Sequence, residues 1–89
     1  ATSNTFGALT RMTVQAADEL CGGRLVLVHE GGYSEVHVPF CGHRVIQQLC
    51  GADIHAPDPF AETFAARQPS AGFDAFVSGL ISDMVGAAV

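Results

Sequence analysis

Tyr33, the only tyrosine in the chain, directly follows two glycines in the run Glu30-Gly31-Gly32-Tyr33-Ser34. A phenol at the tip of such a loop can donate a hydrogen bond to an oxyanion developing on a reacting carbonyl. Adjacent glycines adopt backbone angles that other residues avoid and let a ligand or a second loop come close. Gly31 and Gly32 are therefore candidate substrate-binding positions. The same residues also suit a tight turn on which Tyr33 merely packs, and spacing alone leaves both readings open. A second set of capable side chains, His29, His37, Cys41 and His43, falls within fifteen residues. All four are possible zinc ligands, yet their steps of eight, four and two match no common structural-zinc pattern. His55 has no such neighbours and is assigned no role.

The elements around these residues can be read from periodicity. Phe6, Leu9, Thr13, Ala16, Ala17 and Leu20 recur at helical steps, which predicts a helix from about Thr5 to Leu20, capped by Ser3 or Asn4 and stopped by Gly22-Gly23. Leu25, Val26, Leu27 and Val28 form an unbroken apolar run within Arg24 to His29, which predicts a strand buried on both faces, as in a parallel sheet flanked by helices. Tyr33 would then lie beyond the carboxyl end of that strand, where open parallel α/β sheets bind ligands. Pro39 opens a second helix that ends at Gly51. Asp58-Pro59 is a cap and first-turn pair for a short helix over Phe60 to Arg67, with Phe60 and Phe64 on one face. Gln68-Pro69 breaks it, and Ser70 caps a last helix. Phe73, Phe76, Val77, Leu80, Ile81, Met84 and Val85 form its stripe, with Asp74, Ser78, Ser82 and Asp83 opposite. Its polar side is acidic, which favours docking on a parent domain over lying on a membrane.

A single buried-type strand poses a physical problem. Its N–H and C=O groups need neighbouring strands, and each left buried without a partner costs about 1–3 kcal/mol. The expectation is that the 89 residues do not fold alone and that upstream sequence, another chain or a second copy supplies the partners.

Composition narrows the classes further. The chain is 48% hydrophobic and 15% charged, too apolar for a disordered tail. Nine acids against four bases give a net charge of -5, and no run of basic residues occurs, which argues against nucleic-acid binding. No apolar run approaches the roughly 20 residues that cross a membrane, so no membrane partner is expected. Ala1 to Thr5 lack the basic start of a signal peptide. The absence of an initiator Met leads to the expectation of a fragment or processed chain. Cys21, Cys41 and Cys50 are odd in number and lack C-x-x-C spacing, so they are read as small buried hydrophobes in a reducing cytoplasm.

The stretch Gly22-Gly23-Arg24-Leu25-Val26-Leu27-Val28-His29-Glu30-Gly31-Gly32-Tyr33-Ser34 closely resembles the strand and tyrosine loop of the histone deacetylase superfamily. The preceding helix, with Phe6, Leu9 and Thr10, resembles that family too. Val38-Pro39-Phe40-Cys41-Gly42, then Val45-Ile46 and Pro57-Asp58-Pro59, look like its bacterial branch of histone-deacetylase-like and acetylpolyamine amidohydrolases. The resemblance runs from about Phe6 to Phe60. It implies an α/β, arginase-like parallel-sheet fold, of which residues 1–89 would be the C-terminal part of a single domain: helix, one buried strand, tyrosine loop, three helices. It also implies a zinc ion held by two Asp and one His with a His pair as acid and base, all upstream, since no Asp-x-His motif or His-His pair occurs here. The family's catalytic tyrosine maps onto Tyr33, and Glu30 is read as structural.

The implied function is part of a zinc-dependent amidohydrolase that removes acetyl or acyl groups from lysine or polyamine amines. Its partners would be the acylated amine and the remainder of the domain, with a homo-oligomer possible. The alternative is a truncated, non-catalytic interaction module that docks its Phe-bearing helices on a partner. His37 and His43 stand where resembling proteins usually carry aromatic or aliphatic residues. Because the metal ligands are expected outside this chain, the purified 89-residue protein should lose zinc on dialysis. Stoichiometric zinc retained afterwards, measured by atomic absorption, would instead establish a local site at His29, His37, Cys41 and His43.

Overall fold

The structure, a computed structural model, describes residues 1–88. Four helices follow in order: α1 (Ser3–Cys21), α2 (Val38–Cys50), α3 (Ala61–Ala66) and α4 (Ala71–Ala88). Residues 24–33 are irregular, and no strand occurs among the described residues. This overturns the expected α/β, arginase-like parallel-sheet fold and its buried strand at Arg24 to His29. A strand exists only through ladder bonds to a neighbour, and no second segment here offers them. Val26 and Val28 are accordingly 84% and 76% exposed.

The helix boundaries follow local chemistry. α1 begins two residues earlier than expected, because Thr2 caps it instead of Ser3 or Asn4. The Thr5 N–H donates to the Thr2 Oγ1 at 3.4 Å and the Thr2 N–H to the Thr5 Oγ1 at 3.2 Å, a reciprocal capping box. At the other end Gly22 and Gly23 have φ of 64° and 75°, and the Gly23 N–H donates to the Ala17 carbonyl at 2.9 Å. A side chain at Gly23 would also strike the Asp18 carboxylate, 2.9 Å from a Cβ placed there. α2 has Pro39 in its first turn and Gly51 as its left-handed cap, as expected. Before α3 the Asp58 Oδ1 accepts from the Phe60 N–H at 2.8 Å, and before α4 the Ser70 Oγ accepts from the Phe73 N–H at 3.3 Å.

The one substantial helix packing joins α1 to α2. Of the apolar stripe that periodicity singled out it buries Ala17 alone. The buried positions of α1 are Ser3, Gly7, Thr10 and Ala17, small residues at three-, four- and seven-residue steps. Gly7 lets Arg44 of α2 lay its aliphatic stem across the helix, with Arg44 Cβ 3.5 Å from where a Gly7 Cβ would stand. The buried Thr10 hydroxyl is satisfied by its own helix, donating to the Phe6 carbonyl at 2.8 Å. Phe6, Leu9 and Leu20 face outward, 40%, 55% and 84% exposed.

The rest of the chain is thinly packed. Ala17 and Cys41 are the buried hydrophobic residues. Phe60 and Phe64 meet edge to face at 6.3 Å, as their shared face predicts. α4 buries none of its described residues. It is also long and apolar enough to cross a membrane by length and composition, contrary to the expectation that no such segment exists. The radius of gyration is 15.6 Å, against about 12 Å for a compact chain of this length. The isolated protein should therefore give a helical far-UV signal with a broad, uncooperative melt and a concentration-dependent size. A sharp two-state melt of a monomer, by circular dichroism and analytical ultracentrifugation, would contradict this packing.

Candidate functional site

The glycine loop adopts the geometry that its sequence requires. Gly31 and Gly32 both lie in the left-handed region, at φ of 65° and 80°. A Cβ on Gly32 would stand 3.1 Å from Val38 Cγ2 and 3.3 Å from His29 Nε2. Gly32 is thus held between the first turn of α2 and the end of the Leu25–Val28 run, and a side chain would pry them apart. The loop then turns directly into α2, the His37 and Val38 amides donating to the Ser34 carbonyl at 3.3 and 3.0 Å. Tyr33 projects between these two anchors. It is 95% exposed, and its hydroxyl makes no hydrogen bond among the described residues.

The four candidate metal ligands do not assemble. His37 and Cys41 approach, Nε2 to Sγ at 3.3 Å, one turn apart at the start of α2. The His37 ring lies against Phe64 with centroids 4.5 Å apart, and its Nδ1 is buried without a partner. His43 turns away, its Nε2 3.1 Å from the Ile54 carbonyl. His29 stays exposed beside Gly32. No group of three or more His, Cys, Asp or Glu converges on one point among the described residues. His55 pairs with Asp53 at 2.9 Å on the surface. Sequence spacing had placed the start of α2 at Pro39. Extending it back to Val38, with His37 as its cap residue, puts His37 and Cys41 on one face, so that of the four residues grouped by spacing these two meet.

The three cysteines are free and differ in setting: Cys41 buried, Cys21 half-buried, Cys50 exposed. The expectation of three buried hydrophobes therefore holds for Cys41 and fails for Cys50. Burial, and then the nearby Asp58 carboxylate, push the Cys41 thiol above the ordinary cysteine range. The Asp58 carboxylate is itself fixed by the Ser3 hydroxyl, which donates to Oδ2 at 3.4 Å. A thiol held protonated in this way is a poor nucleophile. The His37–Cys41 contact is therefore a packing arrangement at the base of the tyrosine loop and not an activated pair.

No family model matches the chain. The chain nevertheless belongs to the histone deacetylase-like family. It is 49% identical over 74 residues, 83% of its length, to the "histone deacetylase-like amidohydrolase" of Pseudomonas aeruginosa. The match covers 20% of that relative, so the chain spans about one fifth of its length.

Thiol labelling tests the cysteine assignments. At pH 8 a soluble disulfide reagent should modify Cys50 first and Cys41 last, and the order should vanish in guanidinium. Peptide mapping that finds Cys41 modified first would reveal an activated thiol and contradict its buried, protonated state.

Proposed function

We propose that this chain forms one wall of the active site of a longer, zinc-dependent amidohydrolase, with Tyr33 as the donor to the substrate oxyanion. The exposed, unpartnered phenol, anchored by Gly32 on one side and by the Ser34 turn on the other, is the observation that carries the proposal. The kinship to a histone deacetylase-like amidohydrolase supports the reaction class. The substrate would be an amine bearing an acetyl or other acyl group, such as a lysine side chain or a polyamine. Gly31 and Gly32 allow the acyl group to approach the backbone closely. The Tyr33 O–H then donates to the carbonyl oxygen as negative charge grows on it, a bond stronger in the transition state than in the ground state. A bound zinc ion would supply Lewis-acid chemistry toward the same carbonyl, on ligands from other segments. Residues 1–89 would accordingly be the C-terminal part of a single deacetylase domain.

The exposed apolar surfaces give the remainder of that domain its contact face. Phe6, Leu9 and Leu20 on α1, Val26 and Val28, and the stripe of α4 all lack cover. Burying a Leu, Val or Phe side chain contributes about 1.5–3 kcal/mol. The remainder of the domain is preferred to a membrane as the cover for α4, because its charges are Asp74 and Asp83 with no basic residue to meet anionic lipid. A second copy of the chain could cover the same faces in its absence. The proposed compartment is the cytoplasm, consistent with three free thiols, and nucleic acid is not a proposed partner.

A non-catalytic interaction module would share these exposed helices and differ at Tyr33. In the complete protein, Tyr33→Phe should lower kcat about a hundredfold, roughly 3 kcal/mol, with zinc content and Tm almost unchanged. Near-parental turnover of Tyr33→Phe on an acetyl-lysine or acetylpolyamine substrate, with Tyr33→Ala costing stability instead, would remove the catalytic assignment and favour the module.

A further inference from the structure

The chain has no lysine, and its cationic side chains are Arg11, Arg24, Arg44 and Arg67. Arg11 and Arg44 are 33 positions apart in sequence, but the α1–α2 packing sets both on one groove. The groove has a volume of about 250 Å3 and is lined by Asn4, Gly7, Ala8, Arg11, Arg44 and Gln48. Its polar lining residues are two arginines, Arg11 and Arg44, and two amides, Asn4 and Gln48. No Asp or Glu lines it, although the chain carries more than twice as many acids as bases.

Neither arginine is neutralised. Among the described residues the one ion pair is His55–Asp53, and the one hydrogen bond from either guanidinium runs from Arg44 Nη1 to the Gln47 Oε1 at 3.3 Å. A guanidinium carries five N–H donors in a planar fork matched to the oxygens of carboxylate or phosphate. Most of these donors here have no protein acceptor. Arg44 is also positioned, because its stem lies across Gly7, with Cβ and Cδ 3.5 and 3.9 Å from a Cβ built there, and the residue is half-buried. A flexible surface arginine would lose more side-chain entropy on binding.

We propose that this α1–α2 groove is a binding site for one oxyanion group, a carboxylate or a phosphate, with Arg11 and Arg44 as its charged donors and Asn4 and Gln48 as neutral ones. The site is separate from the Tyr33 chemistry and does not depend on it. The oxyanion could belong to a small free anion or to an acidic side chain of a docked segment. The two sources share their chemistry and differ in which probe binds.

The test is a titration of the complete 15N-labelled protein with inorganic phosphate and, separately, with acetate, at constant ionic strength set by chloride. Saturating shifts should appear at the Asn4, Gly7, Arg11, Arg44 and Gln48 amides. Preference for phosphate would point to a free dianion, and preference for acetate to a side-chain carboxylate. Arg11→Gln combined with Arg44→Gln should weaken binding at least tenfold. Arg44→Lys, which keeps the charge and loses the fork, should fall between, while Arg24→Gln and Arg67→Gln should bind as the parent does. Circular dichroism checks that the helices persist. If the double variant loses helicity, the ranking of Arg44→Lys below the parent decides. Shifts that track chloride equally, or parental affinity in a folded double variant or in Arg44→Lys, would overturn the proposal.

Discussion

The seam between α1 and α2 is the contact on which the described structure depends, and it is made of small residues. Gly7 lets Arg44 of α2 lie across α1, and the other buried positions of α1, Ser3, Thr10 and Ala17, are small as well, so they bring little apolar area with them. Hydrophobic stabilisation scales with the apolar surface removed from water. A seam of this kind can fix the relative placement of two helices without supplying a core. The large side chains, Phe6, Leu9 and Leu20, are thereby left on the outer side of α1. The second apolar surface, on α4, has no partner within the chain. The exposed faces follow from the choice of seam.

The tyrosine loop inherits its position from the same seam. α2 is held by α1, its first turn holds Gly32 through Val38, and the Ser34 carbonyl ties the loop to the start of the helix. The left-handed angles at Gly31 and Gly32 are compatible with glycine and costly for other residues. Tyr33 is the first residue after them able to carry a functional group beyond this anchor. Beneath the loop, His37, Cys41 and Phe64 form a small packed group in which the thiol is held protonated. The chemistry assigned to this part of the chain accordingly rests on one phenol and two glycines.

Much of this was legible in the residues, and the failures have physical causes. Caps and stops could be read because they depend on neighbours in sequence: Gly22-Gly23, Pro39, Gly51 and Ser70 act where expected, whereas Asp58 holds the Phe60 amide in a turn ahead of α3, whose cap residue is Phe60. The strand over Arg24 to His29 could not form, because a strand is a property of a pair and its composition was read without a partner. The buried face of α1 was misjudged because periodicity rewards large apolar residues, whereas close helix contact rewards small ones. Ser3, Gly7 and Thr10 give no apolar signal at all. The Arg11–Arg44 groove was invisible for a related reason: two isolated arginines become neighbours only after two helices pack. Family kinship was legible at once in the Gly22 to Ser34 stretch, because that signal lies in residue identity and needs no partner.

In the proposed function the exposed apolar faces are contact surfaces for the rest of a longer protein. Amide hydrogen exchange, followed by mass spectrometry on the complete protein and on the 89-residue chain, tests that most directly. The account predicts that amides over residues 25–33 and 73–85 exchange at least about a hundredfold more slowly in the complete protein, a difference of roughly 2.7 kcal/mol in opening free energy. Equal exchange rates in the two molecules over both segments would mean that these faces stay open, and would contradict the view of this chain as a covered wall of a larger site.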